Sequence, residues 1–358
     1  MNLSLPIKLE KNRVWRIYLG GKLLSEFCSE GPGDGYFPED WLASVVTANN
    51  PDREGKPERE GLSKCVGGEY LKDIIDASPE ECLGKKHIRD YGVNFGVLTK
   101  FLDSAERLPI QVHPDKTAAK NLFHSDYGKT EAWYILDGRK INGEEPYILM
   151  GFKEDVSKEQ LHDLFDKQDI PAMAELMHKI PVKSGDVFII KGGTPHAIGP
   201  GCFLLEIQEP TDYTISLEKC NTLGEKLPDF LCHMGIGFDK MFDCFHYIKH
   251  SYEGVLDDFK LKPTVIEDND AYKITTLISY EDTPCFSLRR IDVKQSFTRK
   301  YSDAKPSALV CIDGEGIIGG NSVKKGDCMF VPAAADQFEY NTENGIVLLE
   351  CLPPVEKK

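Results

Sequence analysis

The sequence predicts a mainly β protein built from two β-barrels, with a helical insertion in the N-terminal half. Short apolar runs bounded by turn residues recur in both halves of the chain. Within the N-terminal half, one segment between these runs follows a helical period. One turn-strand-turn pattern occurs twice in the chain. At roughly 150 residues per domain, a chain of 358 residues is long enough for two such units.

The composition excludes several classes of protein. The 43 Lys and Arg against 58 Asp and Glu give a formal charge of −15, which argues against a nucleic-acid partner. No apolar run reaches the roughly 18 residues of a membrane span, so we expect no membrane partner. The first residues, MNLSLPIKLEKNR, lack the apolar segment of a signal peptide, and the odd count of 11 cysteines has no CxxC spacing. We therefore expect a cytoplasmic protein with reduced thiols; the sequence carries no signal for its oligomeric state.

The N-terminal half begins with loops and continues with strands. Residues 20–70 are rich in Gly, Pro and charge, which predicts short elements between turns. Between Asp155 and Met177 the apolar residues are spaced as on one or two amphipathic helices, interrupted near Pro171, and we interpret residues 155–178 as a helical insertion. The predicted strands of this half are 95–101, 110–113, 133–136, 147–150, 186–190 and 203–208.

The C-terminal half follows a mixed, mainly helical stretch over residues 237–259. Its predicted strands are 271–278, 286–293, 308–312, 328–331 and 345–352. We place a domain boundary between residues 240 and 265, which gives an N-terminal domain of residues 1–245 and a C-terminal domain of residues 246–358.

An internal repeat links the two halves. Residues 185–196 and 326–337 both begin with Gly-Asp, continue with an apolar strand, and then turn through small residues. The last residue is His196 in the first copy and Gln337 in the second. A strand that delivers a histidine after a tight turn can point the imidazole into a barrel, so the second copy is expected to keep the shape and lose that ligand.

Four polar side chains of the N-terminal half form a candidate metal site. Because alternate residues of a strand face the same side, Gln111 and His113 project together, away from Ile110 and Val112. Glu131 on a neighbouring strand and His196 after its turn would complete a set of two nitrogen and two oxygen ligands, which suits a divalent ion such as Zn²⁺. The alternative is that His113 and His196 are ordinary core or surface histidines that bind no metal. For either histidine taken alone, this is the better interpretation.

These residues also carry a family resemblance. The segments QVHPD (111–115), GKTEAWY (128–134) and GTPHAIG (193–199) resemble the type I mannose-6-phosphate isomerases, which are zinc-containing proteins of two cupin (jelly-roll-like) barrels. The similarity covers most of residues 10–215, including WRIYLGG (15–21), PEDWLASVV (38–46), LTKFLD (98–103) and LEIQ (205–208).

The resemblance implies an activity, a cofactor and site residues. It implies the interconversion of mannose 6-phosphate and fructose 6-phosphate, with one Zn²⁺ per chain and a C-terminal cupin that lacks metal ligands. The implied zinc ligands are Gln111, His113, Glu131 and His196. The implied catalytic residues are Lys100 and Lys129, which occupy the family's positions in the LTK and GKTE segments.

The chemistry of such a site is consistent with this resemblance. Aldose-ketose isomerisation polarises a carbonyl, removes the proton on the adjacent carbon and holds a cis-enediolate, and a divalent cation supplies the first and third functions. Lys129 could serve as the general base or remain charged and hold an anion. Asp115 is expected to cap the turn after Pro114.

The sequence departs from the family at two positions. Pro109 replaces a common Ser, and Ser216 replaces an active-site Arg that handles the charge of the substrate. Arg289 and Arg290 are candidates for compensation, although a pair of exposed strand charges is the simpler interpretation. The missing Arg keeps open an isomerase of a different sugar, with or without a phosphate. Two further alternatives are a non-catalytic metal-binding cupin that senses sugar and an iron-dependent redox cupin.

Overall fold

Three antiparallel sheets form the framework of the computed structural model, which describes residues 1–50, 53, 55–221, 224–301, 305–355 and 357. The prediction of a mainly β protein is confirmed. Two sheets of seven and five strands belong to the N-terminal half, and Trp133 of the first and Ile148 of the second lie in one buried cluster. These two sheets therefore pack face to face around a common core.

The six predicted strands of the N-terminal half are present, with ends that differ by up to three residues. Six further strands were not predicted, because two to five residues are too few to show alternation: Arg13–Val14, Glu39–Leu42, Met177–Pro181, His196–Ile198, Ile215–Ser216 and Lys260–Leu261. Met177–Pro181 begins inside the predicted helical insertion of residues 155–178, which therefore ends earlier than predicted. The seven-stranded sheet contains Arg13–Val14, Glu39–Leu42, Leu98–Asp103, Glu131–Gly138, Val187–Ile190, Cys202–Gln208 and Lys260–Leu261. The five-stranded sheet contains Gln111–Val112, Tyr147–Phe152, Met177–Pro181, His196–Ile198 and Ile215–Ser216.

A ten-stranded sheet holds the strands of the C-terminal half and the first strand of the chain. Its members are Ile7–Lys8, Thr264–Asp268, Tyr272–Ile278, Ser287–Val293, Phe297–Lys300, Ser307–Ile318, Asn321–Lys324, Cys328–Val331, Gln337–Asn341 and Ile346–Leu352. Several of them were not predicted: Thr264–Asp268, Phe297–Lys300, Asn321–Lys324 and Gln337–Asn341. These strands are mostly exposed or alternate in burial over four or five residues, so their apolar signal is weak.

The helices lie outside the sheets. They span Lys22–Cys28, Leu71–Ala77, Pro79–Leu83, Lys85–Tyr91, Lys116–Phe123, Lys158–Lys167, Ile170–Glu175, Asp229–His233, Phe238–Met241 and Tyr252–Phe259, with a 3₁₀ turn at Phe242–Cys244. The predicted helical insertion is present as two helices, and Pro171 stands in the first turn of the second one, where its missing N–H is not needed. The three short helices between Leu71 and Tyr91 were not predicted, since five to seven residues carry little periodicity.

The internal repeat is present in the structure. Gly185 and Gly326 both adopt a φ of 91°, and each is followed by an aspartate whose side chain accepts a hydrogen bond from the backbone three residues earlier. The strand after the first turn pairs with Glu131–Gly138, and the strand after the second pairs with Ser307–Ile318. In this register Ile190 faces Glu131 and Val331 faces Ser307, so Ser307 is the counterpart of Glu131.

Candidate metal centre

His113, Glu131 and His196 meet in the interior of the N-terminal half. Each is buried, and one ligand atom from each lies within 4.8 Å of the others. Nε2 of His113 is 3.1 Å from Oε2 of Glu131, and Nε2 of His196 is 3.5 Å from Oε1 of Glu131. Gln111 faces His196 across the five-stranded sheet, with its amide nitrogen 3.2 Å from Nε2 of His196. The structure therefore brings together the four side chains that the sequence selected.

Local backbone geometry explains this convergence. As predicted from strand alternation, Ile110 and Val112 lie in an apolar cluster, while Gln111 and His113 turn toward the site. The turn before His196 needs glycine, because Gly193 has a φ of 87° and a Cβ there would lie 2.4 Å from the His246 ring. The N–H of Gly193 donates to the carbonyl of His113 at 2.8 Å. That bond ties the two histidine segments together.

Both imidazoles have a fixed tautomer. Nδ1 of His113 donates to the carbonyl of Tyr213, and Nδ1 of His196 donates to the carbonyl of Thr194, each at 2.9 Å. The proton is therefore on Nδ1, and Nε2 keeps its lone pair toward the centre. Metal-binding histidines are oriented in this way by a hydrogen bond at the other ring nitrogen.

The residues present fit a divalent metal ion. Among the residues that the structure describes, Oε1 of Glu131 accepts no hydrogen bond although it is buried. The ammonium of Lys129 lies 2.8 Å from Nε2 of His113 and 2.7 Å from Oε2 of Glu131, so these acceptors already surround a cation. Two imidazole nitrogens and a carboxylate are the ligands of many catalytic metal sites, and the Gln111 amide can add an oxygen.

A cavity borders the centre at Gln111 and Lys129, and Lys100 also lines it. As predicted, this lysine is buried in mid-strand with its side chain toward the site; its Nζ lies 2.8 Å from Glu206 and 3.8 Å from Glu39. The two carboxylates raise the pKa of Lys100 against the opposing effect of burial, so it remains charged. The lining includes Arg16, Tyr18, Glu39, Lys100, Gln111, Lys129, Glu206, Asp212 and Ser216.

Arg16 is a cavity residue that sequence analysis missed. Its guanidinium binds both oxygens of Asp212 at 2.7 and 3.1 Å, and its Nε donates to Glu39 at 3.1 Å. The signal available in the sequence was its position inside the WRIYLGG segment of the resemblance. Nothing local distinguishes it, because its partner Asp212 is 196 residues away.

Comparison with known proteins identifies the family. The phosphomannose isomerase type I catalytic domain matches residues 57–137, which include Lys100, Gln111, His113, Lys129 and Glu131. The mannose-6-phosphate isomerase ManA of Bacillus subtilis is 30% identical over 265 residues, which are 69% of this chain and 72% of that protein. The chain belongs to the type I phosphomannose isomerase family. The mannose-6-phosphate isomerase of Streptococcus mutans is 40% identical over 213 residues, which are 58% of this chain and 59% of that protein.

Solved structures with the same fold extend the comparison to nearly the whole chain. The Bacillus subtilis mannose 6-phosphate isomerase superposes with a TM-score of 0.72 and 23% identity, covering 97% of this chain and 99% of that one. A variant of the Salmonella typhimurium phosphomannose isomerase gives 0.69 at 14% identity, covering 98% of this chain and all of that one. The C-terminal half, where the family resemblance in sequence is weak, therefore shares the fold. Among the described residues, no helix has the length and apolar character needed to cross a membrane.

The two departures from the phosphomannose isomerase pattern both lie at the cavity. Pro109 and Ser216 line it, and Ser216 faces Gln111 across the sheet. Arg289 and Arg290 lie in the ten-stranded sheet, where Arg290 pairs with Asp292 at 2.7 Å. Neither arginine belongs to the described lining of the cavity, so the structure gives no support for compensation by them.

Arg289 has a structural explanation in the repeat. It faces Glu350 across the C-terminal sheet, as Lys100 faces Glu206 in the N-terminal one. On its other side Glu206 faces Trp133, and Glu350 faces Leu309. Trp133 and Leu309 each lie two residues after the counterparts Glu131 and Ser307, so Lys100 and Arg289 are counterparts as well. The second half thus keeps a buried carboxylate beside a cation at this register position.

The set Gln111, His113, Glu131 and His196 is called the ligand group, and burial controls the charge of its three titratable members. Burial and the neighbouring Lys129 ammonium lower the pKa of His113 to about 4, and burial also lowers the pKa of His196. Burial alone would raise the pKa of Glu131, but Lys129 and the two imidazoles hold it well below its usual range. At neutral pH the group therefore consists of two neutral imidazoles and one carboxylate, the protonation state that binds a metal ion.

These shifts predict an acid sensitivity of the metal-free protein. Since the pKa of His113 falls from an ordinary value near 6.5 to about 4, its contribution to stability is complete above pH 6.5 and is lost as the pH falls toward 4. By pH 5 we expect a loss of roughly 2 kcal/mol from His113 alone. Urea unfolding of chelator-treated protein between pH 7.5 and 5 measures this slope.

A histidine variant isolates the effect. His113→Gln should flatten the pH dependence over the same range, because it removes the imidazole whose pKa burial and Lys129 lower. An equally steep slope in the His113→Gln protein would show that other groups cause the acid sensitivity.

Proposed function

We propose that this protein is a metal-dependent aldose-ketose isomerase that interconverts mannose 6-phosphate and fructose 6-phosphate. The observation that carries the proposal is the buried group of His113, Glu131 and His196, in which both Nε2 atoms face the Glu131 carboxylate, beside a cavity lined by Gln111 and Lys129. Membership of the phosphomannose isomerase family and the names of its relatives support this assignment.

We assign the metal as one Zn²⁺, held by Gln111, His113, Glu131 and His196. When bound, the ion supplies Lewis-acid polarisation of the sugar's carbonyl group. The mixed nitrogen and oxygen donors, and the hydrogen bonds that fix both imidazoles, support zinc over ions that prefer oxygen ligands alone.

Lys100 and Lys129 are the catalytic residues of this proposal. The reaction moves one proton from carbon 2 to carbon 1 through a cis-enediolate and one proton from the oxygen on carbon 2 to the oxygen on carbon 1, so a base must take the proton from one carbon and return it to the other. Lys129 lines the cavity and contacts Glu131, which supports a role as that base or as the group that holds a developing negative charge. Lys100, held charged between Glu206 and Glu39, supplies a fixed positive charge on the cavity wall.

The same proposal extends to the architecture and the location of the protein. We assign residues 1–245 to a catalytic cupin barrel and residues 246–358 to a second cupin. Two short strands cross this boundary: Lys260–Leu261 joins the seven-stranded sheet, and Ile7–Lys8 joins the ten-stranded one. Gln337, the counterpart of His196, is exposed, and Ser307 stands at the counterpart of Glu131, which supports a second cupin without the ligand set. The eleven thiols are unpaired, which supports a cytoplasmic protein.

An isomerase assay tests the function directly. Protein reloaded with zinc after chelation should convert mannose 6-phosphate to fructose 6-phosphate, detected by coupled reduction of a nicotinamide cofactor, and in deuterium oxide should exchange the hydrogen at carbon 2. Binding of the sugar without turnover or exchange would contradict the proposal and favour the non-catalytic sugar-sensing cupin.

The charges of the cavity favour a second candidate, an isomerase of an unphosphorylated sugar. Each cation of the described lining is paired: Arg16 with Asp212, Lys100 with Glu206, and Lys129 with Glu131. A phosphate would have to compete with these carboxylates, since Ser216 provides no charge where the family has Arg. Parallel assays with mannose and mannose 6-phosphate separate the candidates, because higher kcat/KM for mannose would select the second.

A further inference from the structure

Arg16 connects the N-terminal segment of the chain to the shell around His113. Its side chain is only 14% exposed. Both terminal nitrogens of the guanidinium donate to the Asp212 carboxylate, and Nε donates to the Glu39 carboxylate. A planar guanidinium bound through both terminal nitrogens fixes the orientation of its partner as well as its distance. Asp212 is therefore held in one geometry.

Asp212 in turn holds an irregular segment in place. Its carboxylate also accepts a hydrogen bond from the backbone N–H of Asn49 at 3.0 Å. Burial alone would raise the pKa of Asp212, but Arg16 lowers it to about 2, so the carboxylate stays charged. Residues 211–214 belong to no strand, so a sheet ladder does not fix their backbone. One backbone hydrogen bond, from the N–H of Thr211 to the carbonyl of Glu209 at 2.7 Å, and the side-chain contacts of Asp212 and Thr211 hold it instead.

This segment contains the acceptor that orients His113. Asp212 directly precedes Tyr213, whose carbonyl accepts the Nδ1–H of His113 at 2.9 Å. On the other side, the hydroxyl of Thr211 donates to the carbonyl of Gly128, next to Lys129. The Tyr213 ring stacks on Phe123 with centroids 4.7 Å apart. Any displacement of Asp212 would therefore move the carbonyl that selects the tautomer and the ring orientation of His113.

We propose that Arg16 is a positioning residue of the metal centre: through Asp212 it fixes the Tyr213 carbonyl, and thereby directs Nε2 of His113 toward the metal position. The inference rests on the proposed metal site and is independent of which sugar the enzyme converts. It also gives a reason for arginine at this position, because one lysine ammonium cannot bind both oxygens of Asp212 and Glu39 in the same plane.

The test compares Arg16→Lys with a matched substitution elsewhere. Arg59→Lys is the control, because Arg59 binds both oxygens of Asp73 at 2.6 and 2.8 Å at the protein surface. In Arg16→Lys we expect zinc affinity, measured by competition with a chromogenic chelator, to fall about 10- to 100-fold, as for other groups that orient a metal ligand. Arg59→Lys should bind zinc as the wild type does.

A second readout uses the metal-free protein. The Nδ1–H of His113 should give a downfield, slowly exchanging imidazole proton resonance in the wild type and in Arg59→Lys, and should broaden or exchange rapidly in Arg16→Lys. This signal requires neither zinc nor turnover, so it separates failure of the inference from failure of the proposed function. Wild-type zinc affinity together with an unchanged resonance in Arg16→Lys would overturn the proposal.

Asp212→Asn provides an independent variant should Arg16→Lys not fold. It keeps the shape of the side chain but removes the charge that binds the guanidinium. If both residues act through one contact, the double variant that combines Arg16→Lys with Asp212→Asn should bind zinc no more weakly than the single variant with the lower zinc affinity. A loss in the double variant equal to the sum of the two single losses would show that Arg16 acts by another route, and would overturn the proposal.

Discussion

The Glu131→Gln protein is expected to bind zinc at least about a hundredfold more weakly than the wild type and to lose isomerase activity. Glu131 contributes the carboxylate of the ligand group, and its two oxygens face both imidazoles. The amide keeps the volume and removes the negative charge that attracts a divalent ion. Chelator competition measures the affinity, and metal analysis of the dialysed protein confirms the loss.

The same substitution removes the carboxylate that pairs with the buried Lys129 ammonium and leaves it beside Nε2 of His113 and a neutral amide, so stability must be measured in parallel. Glu60→Gln is a suitable control, because Glu60 is also buried and paired with an arginine, Arg53, outside the ligand group. This control should keep its zinc and its activity. Wild-type zinc affinity in a folded Glu131→Gln protein would show that the ion binds elsewhere.

Replacement of Lys129 by methionine is expected to separate metal binding from catalysis. The Lys129 ammonium lies within 2.8 Å of two acceptors of the ligand group, where it opposes a second cation. Lys129→Met removes this charge and should bind zinc as tightly as the wild type or more tightly. Its activity should fall by about a thousandfold, the range expected for loss of a general base or a charge-stabilising group.

Lys116→Met is the matched control for this experiment. Lys116 is a lysine of the same region that pairs with Glu209, and it is more than half exposed. It should keep both zinc affinity and turnover. The proposed role of Lys129 would be refuted by wild-type kcat in Lys129→Met, or by a loss of activity explained entirely by a loss of zinc.

The ligand group could be predicted because its signals are local. Gln111 and His113 share a face through the period of two in a strand, and a glycine turn precedes His196, so short segments indicate where the side chains point. Lys100 lies in a buried strand, as its apolar neighbours predict, while its catalytic role stays a prediction. The short helices between Leu71 and Tyr91 were missed, because a helix of five to seven residues has too few turns to show a period.

The sequence by itself determined the mainly β class, the helical insertion, the repeat and the residues that form the ligand group, because each depends on backbone geometry within a few residues. Only the tertiary structure decided which distant groups meet: that Arg16 binds Asp212, that Tyr213 orients His113, and that Lys129 lies among the acceptors. Those contacts depend on the order and register of strands far apart in the chain, and no local pattern encodes that register.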